Sequence, residues 1–378
     1  MDRRLSLSLL VVLTWHVTSC HASFGRTTDQ FVHYFPTFDT FTKPHILTNC
    51  REEYRHYTNG SLEEEFGRHR YASDLLECIL DKVLTETEKA GMAITGILFA
   101  ILPVLLAQIG PTVSEISFLS ARRPVLAALL AYGSLSPNPA SPMSFEDLEE
   151  LVEKTKKRRD PFAKLGFLKR PSPMVLTILS ALQYAIGIAA AGNSFFQLWR
   201  LTYRGVSIAP IVVYIVGLPE EATLFGWAGI ALPVHVLGFI AFRLAFNREP
   251  APSKSSLFRR MLINEITPSL YRTDFDLSPR NDLVGLQAFL SISVRLCGSL
   301  HIIAGSALLG SVYFVFLADS LVVIYTFVAS ALATRLVLDF ELLGLARSLN
   351  QHEMESSDEK TGDPEPLLVN PDKTVGTF

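Results

Sequence analysis

Charged residues are scarce in this chain of 378 residues, of which Lys, Arg, Asp and Glu make up 19%, below the quarter that is typical of soluble domains. Five stretches, which together comprise 113 residues, contain none of the 71 charged residues. The other 265 residues are therefore about 27% charged, near the value typical of soluble domains. A single soluble domain does not segregate its charges in this way, and the composition also excludes a disordered chain and a disulfide-dense mini-protein. The pattern indicates a multi-pass membrane protein. The uncharged stretches cover residues 90–114, 171–199, 222–242, 296–318 and 320–334.

Cysteine is scarce as well, with four in the chain, and none is spaced as in a CxxC motif or a zinc-binding Cys/His motif. The sequence contains no GxSxG, no HExxH, no phosphate-binding Gly-rich loop and no paired-aspartate protease motif. These absences argue against an enzyme, a metal and an organic cofactor. A net charge of −3 gives no reason to expect a nucleic-acid partner.

Five apolar segments are long enough to cross a bilayer, which requires about 20 apolar residues of helix. The sequence therefore predicts an all-α membrane protein with a transmembrane domain over residues 90–345. Two further apolar stretches, residues 124–135 and 206–218, are too short to cross and should lie in the interface or re-enter the membrane. Residues 283–294 resemble an interfacial segment leading into the fourth span. The predicted spans are residues 92–110, 174–198, 223–242, 297–317 and 320–338.

Lys and Arg concentrate in cytoplasmic loops of membrane proteins, so their positions predict the threading. The connection over residues 111–173 and the one after the third span are rich in them, whereas the connection between the second and third spans contains only Arg200 and Arg204. The short turn around Asp319, between the last two spans, contains none. We therefore expect an extracytoplasmic N-terminus and a cytoplasmic C-terminus, in a secretory-pathway membrane such as the plasma membrane or the vacuole.

The first 22 residues have the pattern of a signal peptide, because a basic start precedes an apolar run and small residues follow near Cys20. An uncleaved anchor or a buried helix is the alternative. Residues 23–89 are then extracytoplasmic and include a glycosylation sequon at Asn59. After cleavage, Cys50 and Cys78 are the two cysteines of this region and are predicted to pair. A disulfide there closes a loop of about 28 residues and contributes about 3 kcal/mol; two unpaired thiols are the alternative.

The connection over residues 111–173 is predicted to contain a helix at 145–159 that ends in four basic residues. These basic residues could contact anionic lipids, or they could serve only to set the topology. The acidic segment 346–378 is predicted to be a disordered tail, and its Asp363, Leu367 and Leu368 have the form of an acidic dileucine sorting signal. The four basic residues are Lys156, Lys157, Arg158 and Arg159.

Two histidines stand inside predicted spans, His235 in the third and His301 in the fourth. An ionisable residue at membrane depth suggests a functional site, such as a proton relay or a ligand site. The alternative is that each histidine is neutral and hydrogen-bonded to a neighbouring helix. The ectodomain histidines at positions 33, 45, 56 and 69 are 11 to 13 residues apart, which is not a metal-binding spacing.

The chain resembles a family of uncharacterised multi-pass membrane proteins of filamentous fungi, over residues 50–345. The resemblance implies a fungal source and a similar threading, and it implies no activity, substrate or site residue. It rests on Leu76-Glu-Cys78-Ile-Leu80 leading through Lys89 and Met92-Ala93 to Pro103; on Leu119-Ser-Ala-Arg122-Arg123-Pro124-Val-Leu126-Ala127; on Trp227 with His235, Gly238 and Arg243; and on His301 with Gly305, Ala329-Ser330-Ala331-Leu332, Arg335 and Phe340-Glu341-Leu342.

These observations favour a non-enzymatic membrane protein that acts as a scaffold or a receptor-like molecule through its ectodomain and its cytoplasmic segments. A small transporter or channel that uses His235 and His301 is the alternative. That alternative requires both rings to face the protein interior rather than lipid.

Overall fold

The computed structural model describes residues 30–59, 65–138, 153, 172–212, 222–248, 257–269, 277–280 and 283–361. Three sequence predictions lie outside these residues: the signal peptide, the basic end of the 145–159 helix and the dileucine signal. Helix 145–159 itself is outside them except for Glu153, so its existence stays a prediction.

The described residues form twelve α-helices, one π-helical turn (Ile79–Val83) and four short strands. Strand β1 pairs antiparallel with β4, and β2 pairs antiparallel with β3. The helices are α1 (Pro36–Asn49), α2 (Arg51–Asn59), α3 (Glu65–Cys78), α4 (Glu86–Ile109), α5 (Val113–Ser120), α6 (Pro124–Ser134), α7 (Pro173–Arg204), α8 (Ile208–Val212), α9 (Ala222–Ala245), α10 (Leu257–Ile266), α11 (Val284–Gly310) and α12 (Leu317–Thr361). The strands are β1 (Val206–Ser207), β2 (Phe246–Arg248), β3 (Leu277–Pro279) and β4 (Val312–Tyr313).

Five helices are long and apolar enough to cross a membrane, which confirms the predicted all-α architecture with five spans. The last span ends at Leu345, and its helix continues to Thr361, into the segment predicted to be a tail; the residues after Thr361 lie outside the described ones. The spans are Glu86–Ile109 in α4, Met174–Arg204 in α7, Thr223–Ala245 in α9, Val284–Gly310 in α11 and Leu317–Leu345 in α12.

The predicted fourth span, residues 297–317, overlaps α11 but is offset from it, because the helix ends at Gly310. Helix α11 begins at Val284, so the predicted interfacial segment is part of the span, and Arg295 is an exposed residue within it. The chain turns before Leu317, where β4 pairs with β1 and Phe314 has a φ of 62°. The turn contains no charged residue to mark it, whereas Asp319 lies in the first turn of α12.

Residues 36–59 and 65–84 form a cap over one end of the bundle, which we call the cap end, and the opposite end is the far end. The predicted disulfide between Cys50 and Cys78 is confirmed, with a Cα–Cα distance of 6.0 Å. Thr37 donates a hydrogen bond of 2.9 Å to Asp319 at the start of α12. The fully buried Phe314 ring also packs against cap residues, among them Phe38 at 5.8 Å between ring centroids. The cap is therefore fastened to the bundle by the turn that precedes α12.

Helices α5 and α6 form a hairpin that does not span the bundle. Pro111 stops α4, because a proline has no N–H for the helix to use, and Thr112 then starts α5 with a capping box in which Glu115 N donates to the Thr112 hydroxyl at 3.2 Å. Thr112 at the start of the hairpin bridges to Asn138 at its end. Residues 124–135, predicted to lie in the interface or to re-enter, contain the second helix of this hairpin, α6, and which of the two alternatives holds stays a prediction.

The open end of the hairpin faces the middle of the bundle. A Cβ atom added to Gly133, near the end of α6, would lie 2.6 Å from Thr334 Cγ2 in α12 and 2.9 Å from Ala190 Cβ in α7. Both neighbours stand near the midpoints of their spans. Residues 110–112 and 135–138 are therefore two interruptions of helix at mid-bundle depth, which is tolerated only where protein or a water-filled cavity surrounds the backbone.

Candidate functional site

An arginine hub occupies the tip of the hairpin at the far end of the bundle. Arg123 precedes Pro124, which disfavours a helical conformation for it, and its side chain is 0% exposed. Its Nη1 donates to Gln183 Oε1 at 2.6 Å and to Glu341 Oε1 at 2.8 Å. Its Nη2 donates to Ser180 Oγ at 2.8 Å. One buried cation thus joins the hairpin to α7 and α12.

The acceptor side of the hub is equally well occupied. Gln183 Nε2 donates to Glu341 Oε1 at 2.6 Å, and the amide and hydroxyl of Ser269 donate to Glu341 Oε2 at 3.1 and 2.6 Å. Both oxygens of Glu341 therefore accept hydrogen bonds, and its charge is balanced by Arg123. Additional hydrogen bonds of this number help to offset the desolvation cost of a buried ion pair.

The hub also holds α10. The main-chain carbonyl of Glu265 accepts a 2.7 Å bond from Arg123 Nη2. The Glu265 carboxylate accepts a 2.8 Å bond from Val125 N at Oε1 and a bond from the Tyr184 hydroxyl at Oε2. The C-terminal end of α10 is thereby fixed against the hairpin and α7.

A second ion pair lies nearer the centre. Arg335 donates from Nη1 to Glu115 Oε2 at 2.6 Å and from Nη2 to Glu115 Oε1 at 3.0 Å, and it also contacts Asp339 at 3.1 Å. Sequence reasoning placed Glu115 in a loop and missed this pairing. The signal was available, because Thr-x-x-Glu ahead of an apolar run is the sequence of a capping box and hence of a helix start.

His301 stands in α11 beside the indole of Trp227 from α9. The two rings are stacked with centroids 4.9 Å apart, and Trp227 Nε1 donates a 2.9 Å hydrogen bond to the main-chain carbonyl of His301. A Cβ atom on Gly305 would lie 2.5 Å from that nitrogen. Glycine at 305 is therefore what allows the indole to lie flat on α11.

Both sequence-predicted histidines face the protein interior, since His235 is 7% exposed and His301 is 2% exposed. The His301 ring approaches the backbone of Leu135, the last residue before the second helix interruption, which has a φ of 59°. None of the four ring nitrogens has a well-formed hydrogen bond.

Two hydroxyl groups near the helix interruptions also lack hydrogen bonds among the described residues. Ser114 follows Thr112 by two residues, and Ser136 precedes Asn138 by two, so both stand beside the Thr112–Asn138 bridge. Their hydroxyl oxygens are buried and have no hydrogen-bond partner among the residues that the structure describes. We call Ser114, Ser136, His235 and His301 the break site.

The four residues of the break site have buried polar atoms that lack hydrogen-bond partners among the described residues. A buried polar atom without a partner costs about 1–3 kcal/mol, and such atoms are usually satisfied by water or an ion. Within the described ranges, no three His, Cys, Asp or Glu side chains are placed to hold a metal ion. The donors and acceptors of the break site are imidazole nitrogens and hydroxyl groups.

The remaining predicted positions are dispersed. Asn59 is the last residue of α2 in the cap, and its glycosylation stays a prediction, as does the side of the membrane that the cap faces. His33 stacks on Tyr203, and His56 stacks on Tyr71. Comparisons with family models, with curated proteins and with solved structures find no significant match.

Proposed function

We propose that this non-enzymatic membrane protein carries or conducts a small, uncharged polar solute across the bilayer, and that the break site binds the solute midway. One observation supports the proposal above the others: His235 and His301 point into the bundle with all four ring nitrogens lacking well-formed hydrogen bonds. Interrupted helices that meet near the membrane midplane are a common way for transporters to form such a site.

An uncharged solute fits the local electrostatics. Two arginines that contact the hairpin, Arg123 and Arg335, are already paired with Glu341 and Glu115. The break site itself consists of imidazoles and hydroxyls, which hydrogen-bond to neutral polar groups without adding a net charge. A charged solute would be desolvated there without a counter-ion, which is unfavourable at membrane depth.

Cysteine accessibility tests for a hydrated route to the site. In a Cys297→Ser background, Ser136→Cys is the probe and Ala331→Cys, a fully buried residue in the apolar core of α12, is the matched control. A water-soluble methanethiosulfonate reagent should modify the Ser136→Cys protein at least about tenfold faster than the control, because a thiolate must meet water to react. Equal, slow modification of both proteins would overturn the proposal.

A flux assay then tests transport itself. Stopped-flow light scattering of proteoliposomes, with glycerol and urea as probes, should show faster solute entry than protein-free vesicles. His301→Leu should remove most of the difference, because it removes ring donors and acceptors from the site.

A scaffold or receptor-like role is the second candidate. The observation that favours it is the fastening of the cap to the bundle through Phe314 and the Thr37–Asp319 hydrogen bond, which couples an event at the cap to α12. A hydrated site without flux of either probe would favour this role.

A further inference from the structure

One face of helix α10 packs against the protein, and the other is exposed in the part of the chain that the structure describes. Asn264 and Glu265 are buried, and Glu265 is bound by the arginine hub. Leu262, Ile263 and Ile266 are 40–49% exposed. We call these three aliphatic side chains the α10 patch.

The α10 patch lies at the edge of the lipid-facing surface. Ser180 of α7 donates a 3.3 Å hydrogen bond to the main-chain carbonyl of Glu265, so α10 meets α7 at the level of this residue. In α7, the side chains of Ile178 and Leu182, on either side of Ser180 in sequence, are exposed, as expected of a span in contact with acyl chains. These two side chains lie on the opposite side of α7 from Ser180, but they show that the outer surface of the bundle is apolar at the depth where α10 meets α7, so the α10 patch lies at the level of the bilayer.

The charges in the α10 sequence complement those of anionic lipids. The helix contains Arg259, Arg260 and one acidic residue, Glu265, and the acidic side chain is engaged by Val125 and Tyr184 inside the protein. A short helix with an aliphatic face and basic residues is typical of segments that lie in the membrane interface and prefer anionic headgroups.

We infer that α10 is an in-plane helix that binds anionic phospholipid at the far-end leaflet, with the α10 patch among the upper acyl chains and with its sequence positions 259 and 260, both arginine, supplying the positive charge. This inference does not depend on solute transport, because it concerns a surface outside the bundle. It does link lipid binding to the arginine hub, because Glu265 belongs to α10 and is hydrogen-bonded to Arg123 of the hub.

Spin labelling of the full chain in nanodiscs tests the inference. The label is placed at Ile263→Cys in a Cys297→Ser background, and Arg51→Cys, an exposed residue of the cap, is the matched aqueous control. Nanodiscs of phosphatidylcholine alone are compared with nanodiscs containing 30% phosphatidylserine. Collision with oxygen and with a water-soluble nickel chelate reports the depth of each label.

We expect the label at position 263 to collide at least about threefold more with oxygen relative to nickel than the Arg51→Cys control, and phosphatidylserine to increase this ratio further. The double change Arg259→Gln/Arg260→Gln should abolish the increase and leave the ratio in pure phosphatidylcholine unchanged. A label at 263 that is as aqueous as the control in both lipids would overturn the membrane placement. If phosphatidylserine did not change the oxygen-to-nickel ratio of the label at 263 while both arginines are present, the inferred preference for anionic lipid would be overturned.

Discussion

Two polar clusters inside the same bundle differ in how fully their atoms are hydrogen-bonded. In the arginine hub, both terminal nitrogens of Arg123 and both carboxylate oxygens of Glu341 have partners, and Arg123 Nε is the atom left over. In the break site, neither histidine has a well-formed bond on its ring. Protein groups therefore satisfy almost all of the hub, whereas among the described residues they leave both imidazoles of the break site unsatisfied.

The comparison separates a structural use of buried polarity from a functional one. A satisfied network rigidifies the elements that it joins, and the hub joins the hairpin tip to α7, α10 and α12. An unsatisfied group at membrane depth is retained at an energetic disadvantage. The two clusters lie at opposite ends of the α5–α6 hairpin. The hub therefore rigidifies the hairpin that positions Ser114 and Ser136, two of the four residues of the break site.

The largest effect is expected at the hub. Glu341→Leu leaves the Arg123 charge buried without its counter-ion and should destabilise the protein by about 3–5 kcal/mol, measured by thermal unfolding in detergent. Glu86→Ala, which removes an exposed ion pair with Lys89, is the control and should change stability by less than about 1 kcal/mol. The double variant Arg123→Met/Glu341→Leu should recover part of the loss. If Glu341→Leu and Glu86→Ala lost similar amounts of stability, the structural role assigned to the hub would be contradicted.

Loss of the disulfide should rank next and should affect the cap rather than either cluster. Cys50→Ser/Cys78→Ser opens a loop whose ends are 28 residues apart, at an expected loss of about 3 kcal/mol. Limited proteolysis should show faster cleavage within residues 36–84, while Cys297→Ser leaves the cleavage pattern unchanged. Equal proteolysis of the double variant and the wild type would contradict this contribution.

A smaller effect is expected from Gly305→Ala, which bears on the edge of the break site. The new methyl group would meet Trp227 Nε1 at 2.5 Å, so the indole must shift, with an expected loss of about 1–3 kcal/mol and a change in the Trp227 emission spectrum. Gly229→Ala, where a Cβ has no neighbour within 4 Å, is the control and should leave both quantities unchanged. An unshifted spectrum in Gly305→Ala would argue that the indole is not held by this contact.

The smallest effect on stability is expected at the break site itself. His235→Leu removes a buried imidazole that has no well-formed hydrogen bond, so unfolding should change by less than about 1 kcal/mol, and a gain is possible. Thermal unfolding of His235→Leu and Glu341→Leu under the same conditions compares the stability losses at the two clusters. A loss of about 3 kcal/mol in His235→Leu would mean that the ring is structurally bound and would erase the distinction between the clusters.

The five spans could be predicted because long uncharged runs and a bilayer's thickness are one-dimensional properties. The end of α11 could not, since the turn before Leu317 is as uncharged as the helices around it. His235 and His301 were identifiable because a histidine is conspicuous in an apolar run. Their orientation toward the interior follows from packing between α9 and α11, which a single sequence does not reveal.

The hub was invisible for a different reason. Its members come from separate segments, and each alone has an ordinary interpretation: Arg123 as a topology-setting charge, Glu265 as part of a polar loop, Glu341 as a residue after the last predicted span. Only the fold brings them within hydrogen-bonding distance. Glu115 is the intermediate case, because its capping box predicts a helix start but not the pairing with Arg335.

The distance along the chain between Arg123 and Glu341, 218 residues, has a consequence for biosynthesis. At about 5–20 residues per second, Arg123 leaves the ribosome about 10–45 s before its counter-ion is made. Throughout that interval the hairpin tip carries an uncompensated cation that is unfavourable at membrane depth. The hairpin can therefore reach its final position only after α12 has been synthesised, and a nascent chain that ends before α12 exposes an unpaired arginine for quality control to recognise.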